Sequence, residues 1–227
     1  MRTSPHSTRT RIKICGLTRA QDVHACAQSG ADALGFVFYP PSKRFVSAAH
    51  AAELCADLPA FISTVALFVN PEPQTVKEVI HTLRPSLLQF HGDEEPSFCA
   101  SFGVPYLKAF RVGGPGLDTP ANVAQTCKVF SHAAGWLFDS YTPAFGGSGQ
   151  GFDHALLSEV TSAAGFSRPM VLSGGLNAQN ATAAVRALAP WAVDVSSGVE
   201  DSPGVKSNKK IYEFVQAVQQ ASVETRL

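Results

Sequence analysis

The feature of this sequence that most restricts its fold is a repeated alternation of a short apolar run with a longer segment of helical periodicity. It begins with IKICG and QDVHACAQSG, continues with ADALGFVF and SAAHAAELCADL, and ends with AVDVSSG and SNKKIYEFVQAVQQA. About eight such units fill the chain, each of the size expected for a parallel strand and its crossover helix. The pattern predicts an α/β protein, a single-domain (β/α)8 TIM barrel. A doubly wound open sheet is the alternative, because alternation alone does not close a barrel.

The distribution of glycine and polar residues favours the barrel. These residues collect directly after the predicted strands, in CGLT, YPPSKR, FHGDE, DSYTPAFGGSGQG, SGGLN and SSGVE, whereas helix-to-strand connections such as QSGA and SRP are plain. In (β/α)8 barrels the functional residues lie at the C-terminal ends of the strands. We therefore expect one site at that end of the barrel.

Charge and composition argue against several classes of partner. The 227 residues include 18 basic and 18 acidic side chains, and this zero net charge favours neither nucleic acid nor an anionic membrane. No apolar run approaches the roughly 18 residues of a membrane span. The seven histidines have no metal-ligand spacing, so we expect no metal. An anionic small molecule must therefore be held by a local group of residues.

The chain has five cysteines: Cys15, Cys26, Cys55, Cys99 and Cys127. Their odd number, wide spacing and lack of a CxxC motif argue against a disulfide framework or a structural zinc, and they fit a cytoplasmic protein. Residues 1–10 are polar and basic with no apolar segment behind them. We interpret them as a flexible N-terminal tail before a catalytic domain over residues 11–227. A short transit peptide is the alternative for this tail.

Two glycine- and serine-rich loops follow the last two predicted strands. LSGGLN supplies Gly174 and Gly175, and VDVSSGVE supplies Ser196, Ser197 and Gly198. Each loop offers backbone N–H groups before a helix, an arrangement that binds phosphate monoesters in many barrels. Each loop alone reads as an ordinary turn, whereas the two together predict a phosphate site.

Asp139 ends the sixth predicted strand, GWLFDS, and a long loop with four glycines follows it. Such a loop is typical of a lid over a substrate. A carboxylate beneath it can serve as a general acid when burial raises its pKa. The alternative is that Asp139 only caps the loop.

Cys15 ends the first predicted strand and is expected to lie at the same mouth as Asp139. Because side chains alternate along a strand, Lys13 and Cys15 point inward, as do Asp194 and Ser196 on the eighth strand. We therefore predict a buried ion pair between Lys13 and Asp194. The pKa of a cysteine thiol in model peptides is about 8.5. Cys15 therefore needs nearby positive charge to act as a base, and Lys13 is one source of that charge. The alternative is that Cys15 only packs in the core.

Two further residues belong to the predicted mouth of the barrel. Arg44 follows the second strand, where its planar guanidinium suits a two-point contact with a substrate carboxylate, or it is an ordinary surface arginine. His91 ends the fourth strand with Gln89 inward beneath it, and it either lines the site or carries a proton.

Taken in order, these segments resemble a known family. KICGLT, GADALGFVFYPPSKRFVS, LLQFHGDE, LFDSYTPAFGGSGQGFDH, LSGGLN and VDVSSGVEDSPGVKS match, in sequence order and spacing, the phosphoribosylanthranilate isomerase family of tryptophan biosynthesis. The resemblance runs from about Arg11 to the final helix. Single pieces such as SGG are weak signals, but the combination is specific.

The resemblance implies an isomerase that converts N-(5-phosphoribosyl)anthranilate to 1-(2-carboxyphenylamino)-1-deoxyribulose 5-phosphate by an Amadori rearrangement, without a cofactor. It implies that Cys15 is the general base, Asp139 the general acid, and Arg44 the partner of the anthranilate carboxylate. His91 and Asp194 complete the expected substrate-binding set with the two phosphate loops.

Two other functions remain as alternatives. Another phosphosugar isomerase barrel would share the phosphate loops, but the related histidine-pathway enzyme uses an aspartate in place of Cys15. A catalytically silent barrel that binds a phosphorylated ligand would not need both Cys15 and Asp139. The sequence does not distinguish a monomer from a homodimer.

Overall fold

The computed structural model of the chain describes residues 9–142, 151–162 and 168–224. Its main sheet is a closed barrel of eight parallel strands that hydrogen-bond in sequence order. The strands are β1 (Arg11–Cys15), β2 (Ala33–Val37), β3 (Ser63–Phe68), β4 (Leu87–Phe90), β5 (Tyr106–Val112), β6 (Gly135–Ser140), β7 (Met170–Leu172) and β8 (Ala192–Val195). The predicted (β/α)8 barrel is confirmed, and the open sheet is excluded because β8 pairs with β1.

Helices connect the strands on the outside of the barrel. They are α1 (Ala20–Ser29), α2 (Ala48–Cys55), α3 (Pro73–Leu83), α4 (Pro96–Ala100), α5 (Pro120–Val129), α6 (Ser158–Thr161), α7 (Ala181–Leu188) and α8 (Asn208–Glu224). None of these helices, within the described ranges, has the length and apolar character needed to cross a membrane.

Local sequence signals fix where several helices begin and end. Ser47 caps α2 by accepting a hydrogen bond from the backbone N–H of His50, and Thr119 caps α5 in the same way from Asn122. Proline occupies the first turn of α3, α4 and α5, where its missing N–H has no helical partner. Gly30 ends α1 with a φ of 95°, a conformation that glycine adopts without strain. These signals keep the loops short and the strand ends in place.

Side chains alternate across the barrel wall as predicted. Ile12 and Ile14 are buried in the layer between the strands and the helices. Cys15 instead packs inside the barrel with Val37, Leu67 and Val69, near the C-terminal ends of the strands. A second interior cluster fills the other end with Leu107, Ala109, Leu137, Val171 and Ala192.

The structure differs from the predicted elements in three places. The fourth helix is a five-residue turn, and the sixth begins as a 3₁₀ turn over His154–Leu157 before α6. After β8, where only a loop was predicted, the chain forms a small antiparallel hairpin of β9 (Glu200–Ser202) and β10 (Val205–Lys206). Gly204 turns this hairpin with a φ of 83°. An ion pair between Lys206 and Glu200 joins its two strands.

The first two described residues, Arg9 and Thr10, contact the barrel, so they belong to the folded domain and not to the predicted tail. Arg9 forms an ion pair with Asp32, and one of its N–H groups lies 2.8 Å from the carboxylate. Thr10 is buried and donates a hydrogen bond of 3.1 Å to the carbonyl oxygen of Pro190. The folded domain therefore includes residues 9 and 10. The rest of the predicted tail lies outside the described residues, as do residues 225–227.

A buried ion pair joins the two strands that close the barrel. Lys13 and Asp194 are register partners on β1 and β8, and the Lys13 Nζ lies 2.8 Å from the Asp194 carboxylate. Both side chains are almost completely buried. The predicted pair is confirmed. Burying an isolated charge at this depth costs roughly several kcal/mol, so the burial of each of these two side chains depends on its ion-pair partner.

Replacing Lys13 with methionine leaves the Asp194 carboxylate buried without its cation. We expect the free energy of unfolding to fall by about 3–5 kcal/mol in Lys13→Met, measured by urea unfolding followed by circular dichroism. The double variant Lys13→Met/Asp194→Leu removes both charges, so most of the loss should be recovered.

The matched control is Lys209→Met, because the Lys209 side chain is 83% exposed. Its change in unfolding free energy should stay within about 0.5 kcal/mol. A Lys13→Met protein as stable as the wild type would contradict the importance of the pair.

Candidate active site

A cleft opens at the C-terminal ends of the barrel strands and contains about 730 Å³ of empty space, part of it open to solvent. Nine of the ten predicted site residues line it, from Cys15 on β1 to Ser197 after β8. These residues come from six segments of the chain, so only the closed barrel brings them together. Gly198 is the predicted site residue that does not line the cleft.

Cys15 lies at the end of β1 on the floor of the cleft. Burial raises the pKa of its thiol, and the neighbouring Asp194 carboxylate acts in the same direction, whereas Lys13 and Lys206 lower it. Gly35 on β2 leaves room for the sulfur, because a Cβ there would lie 2.7 Å from the Cys15 Sγ. The same Cβ would lie 3.1 Å from the Lys13 Nζ, which places the ammonium beside the thiol.

Asp139 belongs to a chain of polar side chains across the cleft from Cys15. The His91 Nε2 lies 3.1 Å from one Asp139 oxygen, and the backbone N–H of Ser140 donates to the other at 2.8 Å. The Gln89 amide nitrogen lies 3.1 Å from the His91 Nδ1. A Gln89 amide that donates here makes Nε2 the protonated nitrogen of a neutral His91, which then donates to Asp139. His91 thus contacts the acid candidate directly.

Gln89 has an unused acceptor. It is fully buried on the inside of β4 and lines the cleft. Among the residues that the structure describes, its Oε1 has no hydrogen-bond partner. A buried acceptor without a donor is costly, so a donor from a ligand or a water molecule is expected at this position.

The loops after β7 and β8 form one wall of the cleft. Gly174 and Gly175 have φ values of 81° and 65°, and the Asn180 side chain holds this turn by donating to the Gly175 carbonyl at 2.9 Å. A Cβ at Gly174 would lie 2.3 Å from the Ser140 Oγ, so only glycine fits there. Ser196 and Ser197 face the same space from the β8 loop. The two predicted phosphate loops therefore lie side by side.

Gly198 has a packing role that the sequence analysis did not include. A Cβ at this position would lie 1.9 Å from the carbonyl oxygen of Leu176. The missing side chain lets the β8 loop pack directly against the β7 loop. Gly198 therefore sets the spacing between the two loops.

Arg44 lines the cleft but is not an ordinary surface arginine. Its guanidinium makes a two-point contact with Glu200, with N–O distances of 2.8 and 2.7 Å. Both side chains are largely buried. Glu200 and its second partner Lys206 were not among the predicted site residues, although a glutamate and a lysine in a loop directly after a buried strand are a recognisable signal. This contact fixes the direction in which Arg44 enters the cleft.

The arrangement is suited to acid–base chemistry on an anionic small molecule. Cys15 and Asp139 line one cleft, the glycine- and serine-rich loops after β7 and β8 form one wall of it, and Arg44 also lines it. In the described part of the chain, no three His, Cys, Asp or Glu side chains are grouped to hold a metal ion. The predicted lid lies mostly in residues 143–150, outside the described residues.

A methyl group at Gly198 must push the two loops apart. We expect Gly198→Ala to bind inorganic phosphate at least about tenfold more weakly than the wild type, as measured by titration calorimetry. The control is Gly103→Ala, at the opposite end of the barrel, where a Cβ meets open space but φ is 68°. That variant should lose about 1 kcal/mol of stability with unchanged phosphate affinity. Equal affinities in Gly198→Ala and the wild type would contradict the role of loop spacing.

Comparison with known proteins shows the family of this chain. The family described as "N-(5'phosphoribosyl)anthranilate (PRA) isomerase" matches residues 12–217. An N-(5'-phosphoribosyl)anthranilate isomerase from Bordetella petrii is 56% identical over 218 residues, covering 96% of this chain and 99% of the relative.

Solved structures of this kind are also similar. Phosphoribosyl anthranilate isomerase in complex with reduced 1-(o-carboxyphenylamino)-1-deoxyribulose 5-phosphate has a TM-score of 0.80 and 33% identity, covering 93% of this chain and 99% of its own. A monomeric form of the dimeric enzyme from Thermotoga maritima has a TM-score of 0.79 and 33% identity, with the same coverage. The sequence match over nearly the whole chain and the shared barrel show that this chain belongs to the N-(5'-phosphoribosyl)anthranilate isomerase family.

Proposed function

We propose that this chain is the isomerase that rearranges N-(5-phosphoribosyl)anthranilate in tryptophan biosynthesis, with Cys15 as general base and Asp139 as general acid. The observation that carries this assignment is that both residues line one cleft beside the two phosphate loops. A rearrangement within one sugar needs an acid and a base that reach the same molecule from different directions. Two different chemical groups keep the two roles distinct.

The substrate phosphate binds in the loops after β7 and β8. Backbone N–H groups around Gly174, Gly175, Ser196 and Ser197 supply hydrogen-bond donors without a compensating negative charge. Anchoring the phosphate there extends the ribose across the cleft, between Cys15 and Asp139. Binding energy from this remote group then orients the reacting carbons.

In the first step Asp139 protonates the ring oxygen of the furanose. The ring opens as the anilino nitrogen donates electrons, which gives a protonated Schiff base. The proposed acid Asp139 carries the proton beforehand, and the contact of its carboxyl group with the His91 Nε2 at 3.1 Å fixes its orientation. His91 therefore serves as a positioning residue for the acid.

In the second step the Cys15 thiolate takes the proton from C2′. The electron pair of the broken C–H bond moves into the adjacent bond, neutralises the iminium and leaves an enolamine, which tautomerises to the ketone. One carbon of the sugar is oxidised as its neighbour is reduced, so no external oxidant or reductant is consumed.

The anthranilate carboxylate is proposed to bind beside Arg44. The Arg44 N–H groups that face Glu200 already donate to its carboxylate, so the anthranilate carboxylate would accept from the remaining N–H groups of the guanidinium. The paired Glu200 holds this guanidinium in one orientation. Such a fixed donor plane selects a planar anion over a neutral ring.

A catalytically silent barrel remains the competing function. It would need the phosphate loops but not the acid and the base. The retention of Cys15 beside Lys13, and of Asp139 beside His91, favours an enzyme. The same Cys15 disfavours the histidine-pathway type of isomerase.

Removing either proposed group should stop the chemistry without unfolding the barrel. We expect Cys15→Ser and Asp139→Asn each to lower kcat by at least about a hundredfold, measured as loss of substrate fluorescence when the substrate is generated in situ. Cys55→Ser is the matched control, because Cys55 is a free, half-buried cysteine on α2.

Turnover by Cys15→Ser within a few-fold of the wild type would return that thiol to a packing role. An inactive wild-type protein that still binds inorganic phosphate would favour the silent barrel.

The chain is also proposed to act in the cytoplasm as a homodimer. Its five cysteines are all free, which suits a reducing compartment. Phe61 supports the dimer, since it is fully exposed and has an unusual φ of 72°. It lies two residues before Ser63, which lines a mainly apolar cleft at the N-terminal end of the barrel with about 680 Å³ of empty space, part of it open to solvent. The enzyme from Thermotoga maritima is described as dimeric.

Introducing a charge at this face should dissociate the dimer. We expect Phe61→Asp to elute as a monomer, with the wild type as a dimer, in size-exclusion chromatography with light scattering. Tyr212→Asp, on the exposed side of α8, should leave the dimer intact. A monomeric wild type, or a dimeric Phe61→Asp protein, would contradict this interface.

A further inference from the structure

Three charged side chains form a buried cluster behind the β8 wall of the cleft. Glu200 receives two hydrogen bonds from Arg44 and one of 2.8 Å from Lys206. Two cations therefore share one carboxylate. The cluster carries one surplus positive charge in a largely buried region, where charges are screened less than in bulk water.

Lys206 is held in a single position. Its ammonium lies 2.8 Å from the Glu200 carboxylate, 3.0 Å from the Ser196 carbonyl oxygen and 3.3 Å from the Ser196 Oγ. These three acceptors match the three N–H donors of a charged lysine. The backbone is fixed as well, because the Lys206 N–H donates to Asp22 and its carbonyl accepts from Arg19. The side chain is fully buried.

A short polar connection leads from this ammonium to the proposed base. The Ser196 Oγ beside Lys206 donates a hydrogen bond of 3.0 Å to the carbonyl oxygen of Cys15. Ser196 also lines the cleft. Lys206 therefore holds the residue that connects the phosphate loop to the end of β1.

The other cation beside Cys15 is already paired. Lys13 is the nearest cation on β1, but its ammonium is paired with Asp194 on β8 at 2.8 Å. On the other side β2 presents Gly35 and Val37, which carry no charge. Across the cleft His91 and Asp139 contact each other. The surplus charge on this side of the site thus belongs to the Arg44–Glu200–Lys206 cluster.

We propose that Lys206 is a positioning residue for the catalytic base, whose fixed ammonium supplies the surplus positive charge that favours the thiolate of Cys15. The proposal rests on the proposed role of Cys15 and adds the source of the charge that this role requires. The direct effects agree in direction: burial raises the pKa of the thiol, whereas Lys13 and, more weakly, Lys206 lower it. Asp194, which raises the pKa of Cys15, offsets part of the effect of Lys13.

The test measures how the reactivity of Cys15 depends on pH. The ligand-free, full-length protein is treated briefly with iodoacetamide at a series of pH values, and modification of Cys15 is followed by peptide mass spectrometry. Only the thiolate reacts, so the midpoint of the curve reports its formation. The variants are Lys206→Met, Lys206→Arg and Glu200→Gln, and Lys108→Met is the control for loss of a buried lysine, since Lys108 pairs with Glu94 away from the cleft.

Removing the surplus charge should make the thiolate harder to form. We expect the midpoint to rise by about one pH unit in Lys206→Met and to stay within about 0.3 in Lys206→Arg, which keeps the charge. In Glu200→Gln the cluster gains positive charge, so the midpoint should fall. Lys108→Met should leave it unchanged.

Turnover separates an electrostatic role from a structural one. In Lys206→Met, kcat/KM should fall about tenfold at neutral pH and recover as the pH rises, because more Cys15 becomes thiolate. A loss of equal size at every pH, an unchanged midpoint, or an equal shift in Lys108→Met would overturn the proposal.

If Lys206→Met does not fold, the opposite shift in Glu200→Gln decides, and its absence overturns the proposal. If Cys15→Ser keeps wild-type turnover, the proposed function fails instead, whatever the midpoints show.

Discussion

Closure of β8 onto β1 is the constraint on which the site depends. The register of these strands sets Lys13 against Asp194 inside the barrel, and the pair occupies space that apolar side chains fill at the other end. It also places a charged layer directly beneath Cys15. An open sheet would leave the first and last strands at separate edges, and Cys15 would then be far from the phosphate loops. The fold thus produces the site by joining the two ends of the chain.

The charged and polar side chains of the site lie in contact groups, and one of these groups carries a surplus positive charge. Lys13 matches Asp194, and His91 contacts Asp139, whereas Arg44 and Lys206 share Glu200. A site that binds a substrate with a phosphate and a carboxylate gains from such an excess of positive charge. The same excess would assist the loss of the Cys15 proton that the proposed mechanism requires. One cluster can therefore contribute to both binding and proton transfer.

Much of the fold followed from sequence because its signals are local or periodic. Alternating apolar and helical segments predicted the barrel, and the two-residue period of a strand predicted the Lys13–Asp194 pair. The contact between Arg44 and Glu200 could not be predicted from such local or periodic signals. Glu200 is 156 residues away from Arg44, and only the closed barrel brings the loops after β2 and β8 together. The packing role of Gly198 was missed for the same reason, since it depends on a backbone atom of another loop.

The contact between Arg44 and Glu200 also has a consequence for how such barrels diverge. This ion pair joins the loop after β2 to the loop after β8, and β1 lies between these two strands in the barrel. One buried arginine therefore connects three neighbouring βα units. A βα loop is often treated as an independent module that can be exchanged between barrels. Here a transplanted β2 loop without its arginine would leave Glu200 paired with Lys206 alone, and a transplanted β8 loop without its glutamate would leave Arg44 buried without its carboxylate partner. The loops after β2 and β8 therefore have to be exchanged together when a chimeric barrel is built.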